Sequence, residues 1–264
     1  METQMGMNHQ LWGRVLPRGD VLATEVWVGR HRGFIALLWA QALGLFVFAI
    51  FRGFGVLHAA VESGGVAMCA LLANRPLPRH IRAGIVTFGL LSSSAILVHL
   101  SGGTIEAHFH FFVMITLITL YQSWWPFLLS IAYVLIHHGV IGVLDPMSVY
   151  NHPAAIGNPV KWALVHGAFI LAASVAGLIV WKRNEDMRDM QIDLRRRHAL
   201  LLNDDVIQGL VVAKMAAEVG EPWTTKESLG RTLQRAQEIA TELIDDLNDG
   251  LGPRAGDLIR DRTL

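Results

Sequence analysis

Six apolar stretches, separated by short polar turns, constrain this chain more than any other feature of its sequence. A bilayer core of about 30 Å is crossed by about 20 residues of helix, and a helix pairs its own backbone polar groups, which lipid cannot do. The stretches fall at roughly 34–52, 54–74, 83–100, 108–123, 126–144 and 161–181. Only Arg52-Gly53 separates the first two and only Trp124-Trp125-Pro126 the fourth and fifth, so both pairs read as helical hairpins. Composition agrees, since 52% of the 264 residues are apolar and the mean hydropathy is +0.39. Lys plus Arg equal Asp plus Glu at 22 each, which leaves no charge argument for nucleic-acid binding. Cys69 stands alone, so one chain makes neither a disulfide nor a thiolate-rich cluster.

The spacing of charge gives the domain expectation. Charged residues are sparse from Phe34 to Trp181 and frequent beyond Lys182. The expected order is a cytoplasmic N-terminal segment over 1–33, a six-span membrane domain over 34–181, a cytoplasmic helical hairpin over 182–250 and a tail over 251–264. The first thirty residues are polar, with Trp12, Arg14, Arg18 and Asp20 where a cleaved secretion signal wants an apolar core. Arg30, Arg32, Arg75, Arg79, Arg82, Lys182 and Arg183 flank one side of the six spans, which by the excess of basic residues in cytoplasmic loops puts both termini in the cytoplasm. The expected localisation is the inner, cytoplasmic membrane.

This topology sorts the twelve histidines by depth. His9, His31, His80 and His198 fall on the cytoplasmic side, and His58, His99, His108, His110, His137, His138, His152 and His166 fall in the outer half or its loops. Glu62 follows His58 by four residues and Glu106 precedes His110 by four, spacings that share a helix face. A single histidine in a span is ordinarily a hydrogen-bonded packing residue. Eight at one depth, where polar groups are costly, point instead to a transition-metal site. The expected ligands are His58, Glu62, Glu106, His108, His110, His137, His138 and His166, with His99, His152 and Tyr150 as groups that hold the ligands in place or as additional ligands. Iron, copper or zinc suits such a set, and the number of imidazoles fits two ions, or one ion with supporting histidines. Haem b between two facing helices is an alternative, with Phe109, Phe111 and Phe112 as apolar surroundings. A proton relay is a third use of the same residues. His152, beside Pro153, also reads as a loop residue, His99 as a helix cap, and Tyr150 most simply as an interfacial anchor.

Beyond Lys182 an amphipathic helix runs through Met187, Met190, Leu194 and Leu201 to about Glu218, and Gly220-Glu221-Pro222 breaks it. A second helix carries Leu229, Leu233, Ala236, Ala240, Leu243 and Leu247 at alternating spacings of four and three, a heptad seam. Two such helices cannot bury a core alone, so the hairpin is expected to pair with a second copy as a four-helix bundle. The fold class expected is therefore all-α: a six-transmembrane-helix bundle with a dimerising cytoplasmic hairpin.

The string Leu201-Leu202-Asn203-Asp204-Asp205-Val206-Ile207-Gln208-Gly209-Leu210 resembles the dimerisation and phosphoacceptor helix of bacterial sensor histidine kinases, whose motif reads E-L-H-D-x-V-x-Q-x-L. Asp204, Val206, Gln208 and Leu210 match, whereas Asn203 stands where that family has its phosphoacceptor histidine, and an amide is no nucleophile for phosphoryl transfer. No glycine-rich nucleotide box follows. The membrane part is similar to six-span input modules fused to such kinases and to other bacterial signalling outputs, through Glu106-Ala107-His108-Phe109-His110-Phe111-Phe112, His137-His138 and Tyr150-Asn151-His152-Pro153. The resemblance implies a sensor with a homodimeric, kinase-like but phosphorylation-dead output and a kinase or other cytoplasmic signalling partner. A membrane metal-dependent oxidoreductase is the alternative from another class.

Overall fold

The computed structural model describes residues 15–248. His9, Trp12, Arg14 and the 251–264 tail lie outside the described residues, as do the side chains of Leu243 and Leu247. Every regular element among the described residues is helical, so the chain is all-α. Contacts divide it into two units, Met1–Glu185 and Asp186–Leu264.

The first unit contains α1 (Thr24–Phe51), α2 (Val56–Ala73), α3 (Arg79–Ser101), α4 (Ile105–Ile118), α5 (Trp124–Leu135) and the N-terminal part of α6 (Pro159–Leu201). Five helical segments are long and apolar enough to cross a membrane: α1, α2, α3, the run Trp124–Leu144 that begins with α5, and the run Pro159–Glu218 that begins with α6. The remaining apolar helix, α4 with the 3₁₀ turn that follows it, covers Ile105–Tyr121 and is shorter. At 1.5 Å per residue it still reaches about 25 Å, near the lower limit for a span. The chain is a membrane protein by these lengths and compositions. Its first helix starts at Thr24, ten residues ahead of the apolar stretch, because the polar turn Thr24–Gly33 continues the helix with Trp27, His31 and Phe34 on its buried side.

Helix α3 is the most enclosed of these, and it packs against α1, α2, α4 and α5. Glycine permits the closest approaches. A Cβ on Gly89 would stand 2.7 Å from Cys69 Cβ and 2.9 Å from a Leu38 methyl, and one on Gly84 would meet the Trp125 indole at 2.9 Å. Packing between small residues is how helices associate where lipid removes the hydrophobic drive. Apolar residues around the outside of the bundle, such as Leu43, Leu57, Leu128 and Leu171, are exposed, as a lipid-facing surface requires.

The second unit is a hairpin of α7 (Gln208–Glu218) and α8 (Pro222–Asn248), preceded by a π turn over Leu202–Ile207. Ala213, Ala216, Ser228, Thr232 and Ile239 are buried in it. Ser228 donates to the Gly209 carbonyl at 2.9 Å, and Arg235 reaches both Asp205 and Glu238 at 2.9 Å. The Arg235 guanidinium holds the Glu238 carboxyl below its ordinary value. The face of α8 turned to α7 is thus Ser228, Thr232, Arg235 and Ile239, and the seam residues Leu229 and Leu233 point away and stay exposed.

Candidate functional site

The π turn over Ile136–Ile141 interrupts the helix that begins as α5, and it contains His137 and His138. Successive residues of an α-helix lie about 100° apart, and a π turn changes that spacing by one residue per turn. The widened turn buries both. His138 comes to face His108 of α4 and His166 of α6. The three ring centres form a triangle with every side 5.4 Å.

Each of these three rings is oriented in the same way. His108 Nδ1 lies 2.9 Å from the Thr104 carbonyl, His138 Nδ1 3.2 Å from that of Val134, and His166 Nδ1 2.8 Å from that of Trp162, in each case the residue four positions earlier. A carbonyl only accepts, so in all three the Nδ1–H donates and the lone pair is left on Nε2. The Nε2 of His108 is buried without a partner, and so is Nδ1 of His137, whose ring packs on Phe111. This is the tautomer in which imidazole binds metals with its other nitrogen held by the backbone.

Tyr150 closes the cluster. Its ring is stacked parallel on His108 with centres 6.2 Å apart, stands 6.0 Å from His166, and its hydroxyl donates to the His138 carbonyl at 3.4 Å. Burial pushes the phenol up to about 12, so it stays a neutral donor. Two glycines make its seat. Gly103, at φ +76°, lies where a Cβ would be 2.9 Å from the Tyr150 carbonyl carbon, and a Cβ on Gly142 would press the ring at 3.1 Å. The sequence favoured an interfacial anchor at this position, but the ring is 2% exposed and belongs to the histidine cluster.

The other expected ligands go elsewhere. His58, Glu62 and His99 form a separate group between α2 and α3, with Glu62 Oε1 3.4 Å from His58 Nε2 and 3.5 Å from His99 Nε2. Among the described residues, this is the group of metal-ligating side chains whose ligand atoms all lie within 4.8 Å of one another. The nitrogens of His108, His138 and His166 are spaced more widely than that. His110 joins neither set. Its Nδ1 lies 2.7 Å from Ser94 Oγ and its Nε2 3.4 Å from the Gln41 amide, which also accepts from Ser93 at 2.5 Å. Glu106 is exposed in the first turn of α4, where the helix dipole favours a carboxylate. His152 caps the short helix Pro153–Ile156 by accepting from the Ala155 amide, with its ring against Trp162.

Two apolar cavities flank the three-histidine cluster. One, of about 340 Å³, is bounded by His108, Phe109, Phe112 and His166 among others, and one of about 190 Å³ is bounded by His138, Gly139, Leu164 and Gly167 among others.

The chain is similar to a signal transducer. It is 37% identical over 187 residues to the transducer protein Htr8 of Halobacterium salinarum, in a match that takes in 66% of this chain. The chain spans 29% of that protein's length. No family model matches, and no solved structure matches.

Sequence reasoning missed two groups at the opposite ends of the helices. His31 is fully buried, stacked on Trp27, where its Nε2–H donates to the Ala73 carbonyl at 3.0 Å and its Nδ1 lies 2.7 Å from the Tyr121 hydroxyl. Glu185 is also buried, accepting from the Arg18 and Gly19 amides at 2.8 and 3.0 Å and from the Trp181 indole at 2.8 Å. The Trp181–Glu185 spacing of four was the available signal for the second. Nothing in the local pattern signalled the first.

Proposed function

We propose that this chain is the membrane input part of a signal-transduction protein, sensing a small or redox-active ligand through a transition-metal site built on His108, His138 and His166. The observation that carries the reading is the buried triangle of three imidazoles with Nδ1 bound to backbone and Nε2 left for a ligand. An imidazole held at about 2.0–2.1 Å through nitrogen has its ring centre about 3.2 Å from the ion, so two rings at a tetrahedral angle stand about 5.2 Å apart. The observed 5.4 Å brings the rings near one another while their nitrogens stand wider apart than such an ion requires, so binding would draw the three rings together. Haem b between two of these rings is the alternative that the visible spectrum distinguishes from a bare ion of iron, copper or zinc. His137 and Tyr150 stand beside these rings as supporting groups. The ion would supply an open position for a small ligand.

Signalling follows from where the third ligand sits. Bringing three Nε2 atoms onto one ion draws His166, and with it α6, towards α4 and the π turn. Helix α6 is also gripped at Glu185 by the N-terminal segment, and it continues to Leu201. In this reading α4 is the sixth span, both termini are cytoplasmic in the inner membrane, and the histidine ends face outward. The hairpin dimerises through Leu229 and Leu233 and engages a kinase or other cytoplasmic partner. With Asn203 in the phosphoacceptor place, it conveys state without being phosphorylated there. The transducer relative supports the signalling role.

The flanking cavities support one second reading. Their apolar linings open the cluster to the side, the route a lipid-like or small apolar substrate of a membrane oxidoreductase would take. Elemental analysis and the visible spectrum of protein purified in detergent without chelator test the proposal. At least one equivalent of iron, copper or zinc per chain is expected in the wild type and its loss in His138→Asn. A Soret band would establish haem instead, and folded protein free of both would overturn the metal reading.

A further inference from the structure

We propose that His58, Glu62 and His99 form a second divalent transition-metal site, separate from the three-histidine cluster and joining the ends of α2 and α3. This inference does not depend on the first site. No ring contact, hydrogen bond or ion pair links the two groups among the described residues.

The distances distinguish an ion site from a hydrogen-bonded pair. A charge-assisted N–H···O bond is about 2.7–2.9 Å long. Both imidazole nitrogens instead stand 3.4–3.5 Å from the same carboxylate oxygen. Two ligands each about 2.0–2.1 Å from an ion at a tetrahedral angle are about 3.4 Å apart, so these separations are those of the edges of a coordination tetrahedron. All three ligand atoms fall within 4.8 Å of one another.

The surroundings fit the same use. Glu62 Oε2 is buried without a hydrogen-bond partner, an expense that a cation on the other oxygen would offset. The ring of Phe54 is stacked on His58 with centres 4.8 Å apart and planes within 13°, which fixes the imidazole plane. Arg52, two residues before Phe54, donates to the Leu100 carbonyl at 3.2 Å and so ties the α1–α2 turn to the end of α3 that bears His99. The histidines are about half exposed, with side chains 43% and 46% accessible, so an ion has a path from water. Two imidazoles and one carboxylate suit zinc, iron(II) or cobalt(II), and three protein ligands leave at least one position for water. The ion would pin α2 to α3 and stabilise the chain in proportion to its free concentration.

Zinc is the probe for the test. Full-length protein is stripped with chelator, exchanged into chelator-free buffer and titrated with zinc chloride by calorimetry, alongside thermal melts. The wild type is expected to bind one equivalent more than Glu62→Gln or His99→Asn, or to bind that equivalent at least about tenfold more tightly. The zinc-dependent rise in melting temperature should shrink in both variants, and His138→Asn should keep this equivalent. Unchanged stoichiometry, affinity and melting shift in both Glu62→Gln and His99→Asn would overturn the proposal, as would a wild type that takes up no zinc. Failure of the three-histidine reading would show differently, as a His138→Asn protein with its full metal content.

Discussion

Gly103 and Tyr150 show how much the site asks of single residues. The backbone at Gly103 is left-handed, and the main chain of Tyr150 crosses where a side chain would begin. Gly103→Ala therefore meets both a conformational and a steric penalty, about 1–3 kcal/mol from the first alone. The melting temperature of the variant should fall and its metal content with it. An unchanged melt would mean that Tyr150 does not seat there. Residue spacing made part of this site legible. His58 and Glu62 converge because four residues along an uninterrupted helix share a face. Glu106 and His110 have the same spacing, yet Glu106 lies in the first turn of α4 and remains in solvent while His110 turns to Ser94 and Gln41. Spacing along each helix was readable from sequence, but which way each ring faces around its helix was not. The eight histidines accordingly resolve into a trio, a neighbour of that trio in His137, a pair with a glutamate, a hydrogen-bonded member and a cap.

At the scale of elements, the π turn decides the site. It adds one residue to a helical turn, and no propensity in Ile136-His137-His138-Gly139-Val140-Ile141 announces it. Deleting Gly139 should restore regular α-helix, rotate His137 and His138 relative to the residues that follow the turn and abolish metal retention while circular dichroism keeps its helical amplitude. Retained metal in that variant would show that the widened turn is incidental. The apolar stretches themselves were legible, because lipid leaves a helix few alternatives. Their ends were less so. Helix α1 gained a polar first part held by Trp27 and His31, and α4 ended at Ile118 with a 3₁₀ turn that stops at a left-handed Gln122 rather than running to 123.

For the whole molecule, the exposed seam of α8 carries the expectation of a dimer. Leu233 is 62% exposed and Leu229 46%, on the side away from α7. Burying a leucine contributes about 1.5–3 kcal/mol, so Leu233→Asp together with Leu229→Asp should raise the dimer dissociation constant at least about tenfold. Light scattering in detergent at several concentrations would measure it, and a wild type that stays monomeric would refute the dimer. The all-helical class and the amphipathic hairpin could be read from hydrophobic periodicity. The partner copy could not, because a heptad seam states that something apolar covers it and leaves open what does.

If imidazoles from α4, the π turn and α6 share one ion, X-ray absorption at the edge of whichever metal copurifies will report them as its ligands. About three imidazole nitrogens near 2.0–2.1 Å are expected in the wild type, with one fewer in His166→Ala. A spectrum without imidazole scattering, or one unchanged in His166→Ala, His138→Ala and His108→Ala alike, would contradict a shared ion.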